Sequence, residues 1–475
     1  MAAESNAHAS TFMRDALLVV ALAAALVVPP IAQRQIPTSH EARFALIARD
    51  MLKRHVWFDA EVRGYPYRRK PPLHPWMIVA GSWVRGRVTD GAARLPSALG
   101  TVATVLGTCL LAQRLFQGRA GLAAGLVMAT SYGVFAHSQM ILPDVPMIAF
   151  GMFAGYWFWQ AVTGAGGRVA MIGFYAMLAL GVFVKGPAGL LPLAVAVAWL
   201  WWEHGVSGLC RLWSLPGVAL FVALSLVWVI PFLTLGKTER YVDEVLWMDW
   251  IHHYLMEPRP AAIVGQLVDL VIGFLPWTLL APLALVHAVR TRAEPPVRFA
   301  LFWLGVHFAL IMVSTNQRVR YLLSIYPGLA LLVTWWAVDE RRGPTARRTA
   351  VVKWVAAGMA VALFSGIWVY NHRLNTTRNF RALAASVERH AHGGEVGVFV
   401  SKGEYLQIDY YLGRDATLLT FPAELAAYVT RPGRPVVVVN QENWERWQRQ
   451  LPPGLRLLET ASVGGETLRL VRLGP

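Results

Sequence analysis

Eleven apolar runs recur along the chain, at about 16–33, 94–113, 120–141, 145–163, 169–184, 187–202, 214–235, 264–287, 299–314, 321–338 and 354–370. Each approaches the length that a helix needs to cross the hydrocarbon core of a bilayer. Their unbroken apolarity predicts helices in lipid rather than the striped helices of a soluble bundle. The pattern changes twice. A polar loop, 33–94, separates the first two runs, and a mixed segment follows the last. Within the loop, 41–54 places Phe44, Ile47, Ala48, Met51 and Leu52 on one helical face. Arg43, Arg49, Asp50, Lys53 and Arg54 lie on the other. Such a helix belongs flat on a membrane surface. The run 73–84 is apolar but too short to span alone.

In the tail, five short strand-like runs at 395–400, 416–421, 435–440, 455–460 and 467–471 alternate with amphipathic stretches, among them the helix-like 443–451. The expected architecture is an α-helical polytopic membrane protein of about eleven transmembrane helices with a small C-terminal soluble α/β domain. Residues 1–372 would form the membrane domain, with interfacial helices in loop 33–94, and 375–475 the α/β domain.

Composition agrees with this pattern. Of 475 residues, 56% are hydrophobic and 15% charged, against about 25% charged in soluble domains. A net charge of +16 in a soluble chain would suggest nucleic acid. Here loops that face the cytoplasm and anionic lipid account for it, so no nucleic-acid partner is expected. The basic connections 114–119, Arg168, Arg211, 290–298 and 341–353 alternate onto one side, which the positive-inside rule makes cytoplasmic. Loop 33–94, Asp144, Lys185, 237–263, 316–320 and the tail then share the opposite face. The run 16–31 lacks a small-residue cleavage site, so an uncleaved first helix is expected. Cys109 and Cys210 make no metal-type pair.

Candidate chemistry gathers on that second face. In GYPYRRKPP, prolines stiffen the backbone on both sides of Arg68, Arg69 and Lys70 and hold three cations at one depth. That arrangement suits a phosphate at the lipid–water boundary, and it equally suits snorkelling to headgroups. Asp144, between Pro143 and Pro146, and Lys185, before Gly186-Pro187, stand at helix ends where ionisable groups are costly without partners. N-capping and snorkelling are their structural alternatives. Arg318 and Arg320 precede the tenth run and complete a set of cations for a phosphate. His252-His253 with Asp249 and Glu257 match no helical zinc spacing, so no metal and no cofactor is expected. Trp247 and Trp250 suit an interfacial lid in 237–263.

Several motifs in order resemble the GT-C superfamily of polytopic glycosyltransferases, in particular the protein O-mannosyltransferases and the 4-amino-4-deoxy-L-arabinose lipid A transferases. They read Glu41-Ala42-Arg43-Phe44, Arg49-Asp50-Met51-Leu52, Gly64-Tyr65-Pro66-Tyr67, Lys70-Pro71-Pro72-Leu73-His74-Pro75-Trp76 and Arg94-Leu95-Pro96-Ser97-Ala98-Leu99. Further on come Pro143-Asp144, Val184-Lys185-Gly186-Pro187, Phe274-Leu275-Pro276-Trp277, Arg320-Tyr321-Leu322-Leu323 and Tyr326-Pro327. The resemblance covers about 15–335.

It implies transfer of a sugar from a polyprenyl-phosphate carrier to a lipid, glycan or protein acceptor at the periplasmic face of a bacterial inner membrane. It assigns Lys70, Arg69, Lys185, Arg318 and Arg320 to the donor phosphate, and Arg43, Tyr67 and Tyr321 to substrate. Glu41, His40 and Asp144 fall to activating or orienting the acceptor. Relatives carry Asp-Glu where this chain has His40-Glu41. Glu41 as base, His40 as base, and loss of activity all remain open, and Thr38 with Glu41 also forms a capping-box pattern. A transporter or flippase of lipid-linked sugars is the alternative from another class. It calls for mid-membrane charges and inverted repeats, and neither pattern is apparent.

Overall fold

The computed structural model of the protein describes residues 2–67, 70–235, 260–313, 318–401 and 403–474. Among these, seven helices are long and apolar enough to cross a membrane, or eight if one bent pair counts as a single span. The protein is a multi-pass membrane protein. Most expected spans correspond to one helix each: Asp90–Phe116, Asp144–Val162, Gly167–Lys185, Leu191–Gly208, Leu215–Leu235, Pro295–Val313 and Tyr326–Val338. Two do not. The run 120–141 breaks into Ala120–Ala129 and Tyr132–Ser138, bent by 60°. The run 264–287 breaks into Pro260–Gly273 and Ala281–Arg290, each too short to span alone. Between these two helices Pro276 lacks the N–H that a continuous helix requires.

The chain divides into two compact units. The first comprises Met1–Ile31, Arg68–Met77 and Arg94–Gly366, and its interior is one apolar cluster built from the helical bundle. Small residues let its helices approach closely, as in membrane bundles generally. A Cβ at Gly100 would stand 2.9 Å from the Pro146 backbone, and one at Gly107 2.8 Å from Met152 Cβ. Arg94 is fully buried and donates to the Ile31 carbonyl at 3.2 Å, while Ser97 Oγ accepts from Leu142 N–H at 3.2 Å. The Arg94-Leu95-Pro96-Ser97 motif therefore works as internal scaffolding.

The second unit gathers the loop segments Ala32–Tyr67 and Ile78–Ala93 with Ile367–Pro475, whereas the sequence set only 375–475 apart. Its loop part holds the hairpin β1 (Glu61–Val62) and β2 (Tyr65–Pro66). Its core is a five-stranded sheet of β3 (Val396–Phe399), β4 (Thr417–Leu419), β5 (Val436–Asn440), β6 (Leu455–Val463) and β7 (Glu466–Leu473), ordered β4-β3-β5-β7-β6. β3 pairs in parallel with β4 and β5, with Val398 opposite Leu418 and Val438. β5–β7 and β7–β6 are antiparallel. Every residue of β3 and β5 is buried, as expected of strands covered on both faces. All five expected strands form. The expected helix at 443–451 shortens to Gln441–Arg446 and starts on an Asn440 cap.

Helix Ser39–Arg54 lies within this unit. Its loop partners come from far along the chain: Arg43 binds Glu404 at 2.5 Å, Arg49 binds Asp415 at 2.8 Å, and Ser39 donates to Gln407 at 3.0 Å. The amphipathic face predicted for membrane is thus buried in protein, since Phe44, Ile47, Ala48 and Met51 are all core residues.

Candidate functional site

In the first unit a cavity of about 260 Å³ opens beside Asp144, Lys185, Arg320, Tyr321 and Ser324, with Met147, Ile148, Pro187, Ala188, Leu191, Leu310 and Ile311 as its apolar wall. Four separate stretches of sequence build it. Asp144 is the first residue of its helix and is only 1% exposed. The positive end of the helix dipole favours a carboxylate at that position. Lys185 is the last residue of helix Gly167–Lys185, where the dipole favours a cation. Gly186, at φ +77°, turns the chain back there. The following segment Gly186–Leu190 packs so tightly on the helix that a Cβ at Gly189 would stand 2.2 Å from Val182 N. The Lys-Gly-Pro-x-Gly run is needed for this fold-back. Arg320 and Tyr321 come from the 3-10 segment Val319–Ser324.

These groups interlock. Lys185 Nζ donates to Asp144 Oδ1, and Arg320 Nε lies 3.7 Å from Asp144 Oδ2. Both cations lie over the Tyr321 ring, Lys185 at 4.4 Å and Arg320 at 5.5 Å from its centroid. One carboxylate against two cations leaves a formal charge of +1 at one end of an otherwise apolar cavity. An anion with an attached hydrocarbon chain fits that chemistry. The anion neutralises the excess charge, and the chain lies along the aliphatic wall.

The structure thus brings together Asp144, Lys185, Arg320 and Tyr321 from the sequence-predicted set. Asp144 is bound by both cations, and this geometry suits alignment of a cationic pair better than proton abstraction. Lys70 is half-buried in the first unit but does not line this cavity, and neither does the exposed Arg318. Arg69 lies outside the described residues, as do Arg68, Lys237 and the histidine pair with Trp247 and Trp250. Among the described residues no group of three metal-ligating side chains occurs.

The remaining candidates belong to the second unit. Glu41 is 3% exposed and is bound by the equally buried Arg34 at 3.2 Å. Thr38 Oγ1 accepts from Glu41 N–H at 3.3 Å, so the expected helix cap is formed. His40 is half-buried and meets Phe44 edge-on at 5.5 Å, and Phe44 meets Tyr67 at 6.3 Å. Sequence reasoning missed Arg34, Glu404, and the buried pair of Arg63 with Asp409. Arg63 grips both oxygens of Asp409, at 2.6 and 3.0 Å, and Asp409 is fully buried. Burial pushes the Asp409 carboxyl up, and the Arg63 guanidinium opposes that shift. Arg43–Glu404 and Arg63–Asp409 join residues more than three hundred positions apart, and no local pattern reports them, whereas Arg34 stands only seven residues before Glu41.

Comparison with known proteins adds to this geometry. Residues 69–234 match the family model for dolichyl-phosphate-mannose-protein mannosyltransferase. An undecaprenyl phosphate-alpha-4-amino-4-deoxy-L-arabinose arabinosyl transferase of Pseudomonas paraeruginosa is 29% identical over 312 residues, which is 64% of this chain and 56% of that protein. The homologue of the same name from Edwardsiella ictaluri is 28% identical, over 64% of this chain and 56% of its own length. The chain's match thus spans little more than half of these transferases. Among solved structures, ArnT from Cupriavidus metallidurans bound to undecaprenyl phosphate superposes with a TM-score of 0.78 at 17% identity, covering 96% of this chain and 97% of that one.

The chain shares the fold of this transferase over nearly its whole length. Another GT-C structure, the archaeal oligosaccharyltransferase AglB of Archaeoglobus fulgidus with an inhibitory peptide and a dolichol-phosphate, has a TM-score of 0.62 at 11% identity. It covers 93% of this chain and 70% of AglB. The likeness of fold extends over nearly the whole chain, including the α/β unit that the sequence motifs did not reach.

Proposed function

We propose that this protein is a glycosyltransferase of the bacterial inner membrane. It takes a sugar from a polyprenyl-phosphate carrier and passes it to a lipid, glycan or protein acceptor at the periplasmic face. The observation that carries this reading is the cavity with a +1 end of Asp144, Lys185 and Arg320 and an aliphatic wall. The relatives, named for undecaprenyl phosphate-linked aminoarabinose and dolichyl-phosphate mannose, support the same donor class.

In the reaction, the bond between the sugar's anomeric carbon and the phosphate oxygen breaks as the acceptor oxygen bonds to that carbon. The electron pair and the growing negative charge go to the phosphate. Lys185 and Arg320 stabilise this charge, held in place by Asp144. Tyr321 fixes the direction of both cations. Lys70, Arg69 and Arg318 extend the positive field at the same membrane face.

The acceptor proton passes to a first-loop group. His40 suits that role better than Glu41, because its ring is partly accessible while Glu41 is buried against Arg34. Arg43 and Tyr67 contribute to acceptor binding. The 375–475 α/β domain faces the periplasm with the loop.

The test is sugar transfer by purified protein in nanodiscs, from synthetic undecaprenyl-phosphoryl sugars to lipid A and to membrane-extract acceptors. Transfer that is lost in Lys185→Ala supports the reading. No transfer from any donor, together with no binding of undecaprenyl phosphate, overturns it. Donor movement between leaflets without product would point to the transporter instead.

A further inference from the structure

The short apolar helix Pro260–Gly273 carries two polar residues in its interior, Gln266 and Asp269. They stand three apart, and Gly273 follows Gln266 by seven, so the three share one face. That face is turned into protein. Gln266 is 3% exposed and Asp269 half-buried, while Val264, Leu267, Val268 and Val271 on the other side are exposed. Among the described residues neither the oxygen nor the nitrogen of the Gln266 amide has a hydrogen-bond partner. Such a group in an apolar interior is costly unless something satisfies it.

Asp269 makes no ion pair among the described residues. The Tyr326 hydroxyl lies within its electrostatic reach and likewise has no partner among them. That hydroxyl is fixed. It is wedged where a Cβ at Gly273 would stand 1.9 Å away and one at Gly133 2.7 Å away, and its ring stacks on Phe274 at 5.9 Å. An ionisable group in a membrane helix without a protein partner is the usual mark of a substrate contact.

The position of this polar face gives it a role. The helix packs against the 3-10 segment Val319–Ser324, which supplies Arg320, Tyr321 and Ser324 to the cavity. Tyr326 follows that segment by two residues. Gln266, Asp269 and Tyr326 do not line the cavity itself, but the helix that carries the first two contacts the segment that supplies the cavity's Arg320, all within the first unit.

We propose that Gln266 and Asp269, backed by Tyr326, recognise the sugar of the lipid-linked donor. The amide offers a donor and an acceptor to sugar hydroxyls. The carboxylate selects a hydrogen-bond-donating substituent, of which an ammonium is the strongest. This rests on the donor reading above and goes beyond it by naming the groups that discriminate between sugars.

The experiment compares three probes in nanodiscs by native mass spectrometry: undecaprenyl phosphate, undecaprenyl-phosphoryl glucose, and undecaprenyl phosphate bearing 4-amino-4-deoxy-L-arabinose. Wild type, Asp269→Asn and Gln266→Leu are titrated with each. Wild type should hold the amino sugar about tenfold more tightly than glucose, from one charge-assisted contact. Asp269→Asn should erase that preference. Gln266→Leu should weaken both sugars about tenfold, with undecaprenyl phosphate bound as in wild type. Equal preference in wild type and Asp269→Asn overturns the proposal. So does a parallel loss for all three probes, which marks a structural role. In either case retained, Lys185-dependent binding of bare undecaprenyl phosphate leaves the donor reading standing. Absence of that binding in wild type overturns both.

Discussion

Lys185→Met removes one cation from the cavity while keeping a chain of similar length and apolar packing. Two effects follow, and they can be separated. The first is on the ligand. A charge-assisted hydrogen bond to a phosphate contributes about 1.5–3 kcal/mol, so its loss weakens undecaprenyl phosphate binding by roughly 10- to 150-fold. The formal charge of the cluster falls from one positive to zero, because Arg320 and Asp144 then cancel. The second effect is on the protein. Asp144, 1% exposed, loses its Lys185 partner and keeps Arg320 at 3.7 Å. Under-satisfying a buried carboxylate costs about 1–3 kcal/mol.

Native mass spectrometry in nanodiscs reads the affinity, and tryptophan-monitored melting reads the stability. Lys185→Arg should recover most of the stability and part of the affinity, since it keeps the charge but not the geometry. The double substitution Lys185→Met with Asp144→Asn should recover stability without restoring affinity. Binding by Lys185→Met within about threefold of wild type, with an unchanged melt, would refute the assignment of this cavity to phosphate.

Arg63→Met strands the fully buried Asp409 carboxylate and should destabilise the α/β unit by about 3–5 kcal/mol near neutral pH. The sign of its pH dependence follows from burial, which already raises the Asp409 pKa against the pull of Arg63. Without Arg63 the folded-state value rises further, so the neutral acid forms more readily and the loss should shrink as pH falls from about 8 to about 5; melting curves at both pH values check it. Gly189→Ala drives a methyl into the Val182 backbone; about 1–3 kcal/mol of stability should be lost, together with donor affinity, as the Lys185 turn is displaced. In the transfer assay, His40→Asp should keep activity and move the acidic limb of the pH–rate profile down by about two and a half units, the difference between ordinary imidazole and carboxylate values. A limb that does not move would instead favour Glu41.

The membrane architecture was legible because a bilayer imposes a length and an apolarity that composition alone reports. The five strands were legible for the same kind of reason, since buried parallel strands read as short runs such as VVVV. Of the candidate site, Asp144 and Lys185 were readable because an ionisable group beside proline or glycine at the end of an apolar run is locally anomalous, Arg320 because it is a cation just before such a run, and Tyr321 only through the family motif. What could not be read was their mutual arrangement, which depends on the packing of four helices. The role of helix Ser39–Arg54 was misjudged because amphipathicity reports one apolar face without saying what covers it. In the structure, protein covers it. Gln266 and Asp269 escaped notice inside the expected span 264–287, where two polar residues scarcely lower the mean. Arg63–Asp409 is a register of tertiary folding, invisible in either partner alone.

The single excess charge of the Asp144–Lys185–Arg320 cluster has a kinetic consequence for the proposed reaction. A glycosylated phosphate is a diester with one negative charge, which the cluster neutralises. The spent carrier is a monoester, with a charge of about −1.5 to −2 at neutral pH. The same two cations therefore hold the leaving lipid more firmly than the incoming one. Turnover should then be limited by departure of the spent carrier, and added undecaprenyl phosphate should act as a competitive brake, tying the rate of sugar transfer to how quickly the cell recycles its lipid carrier.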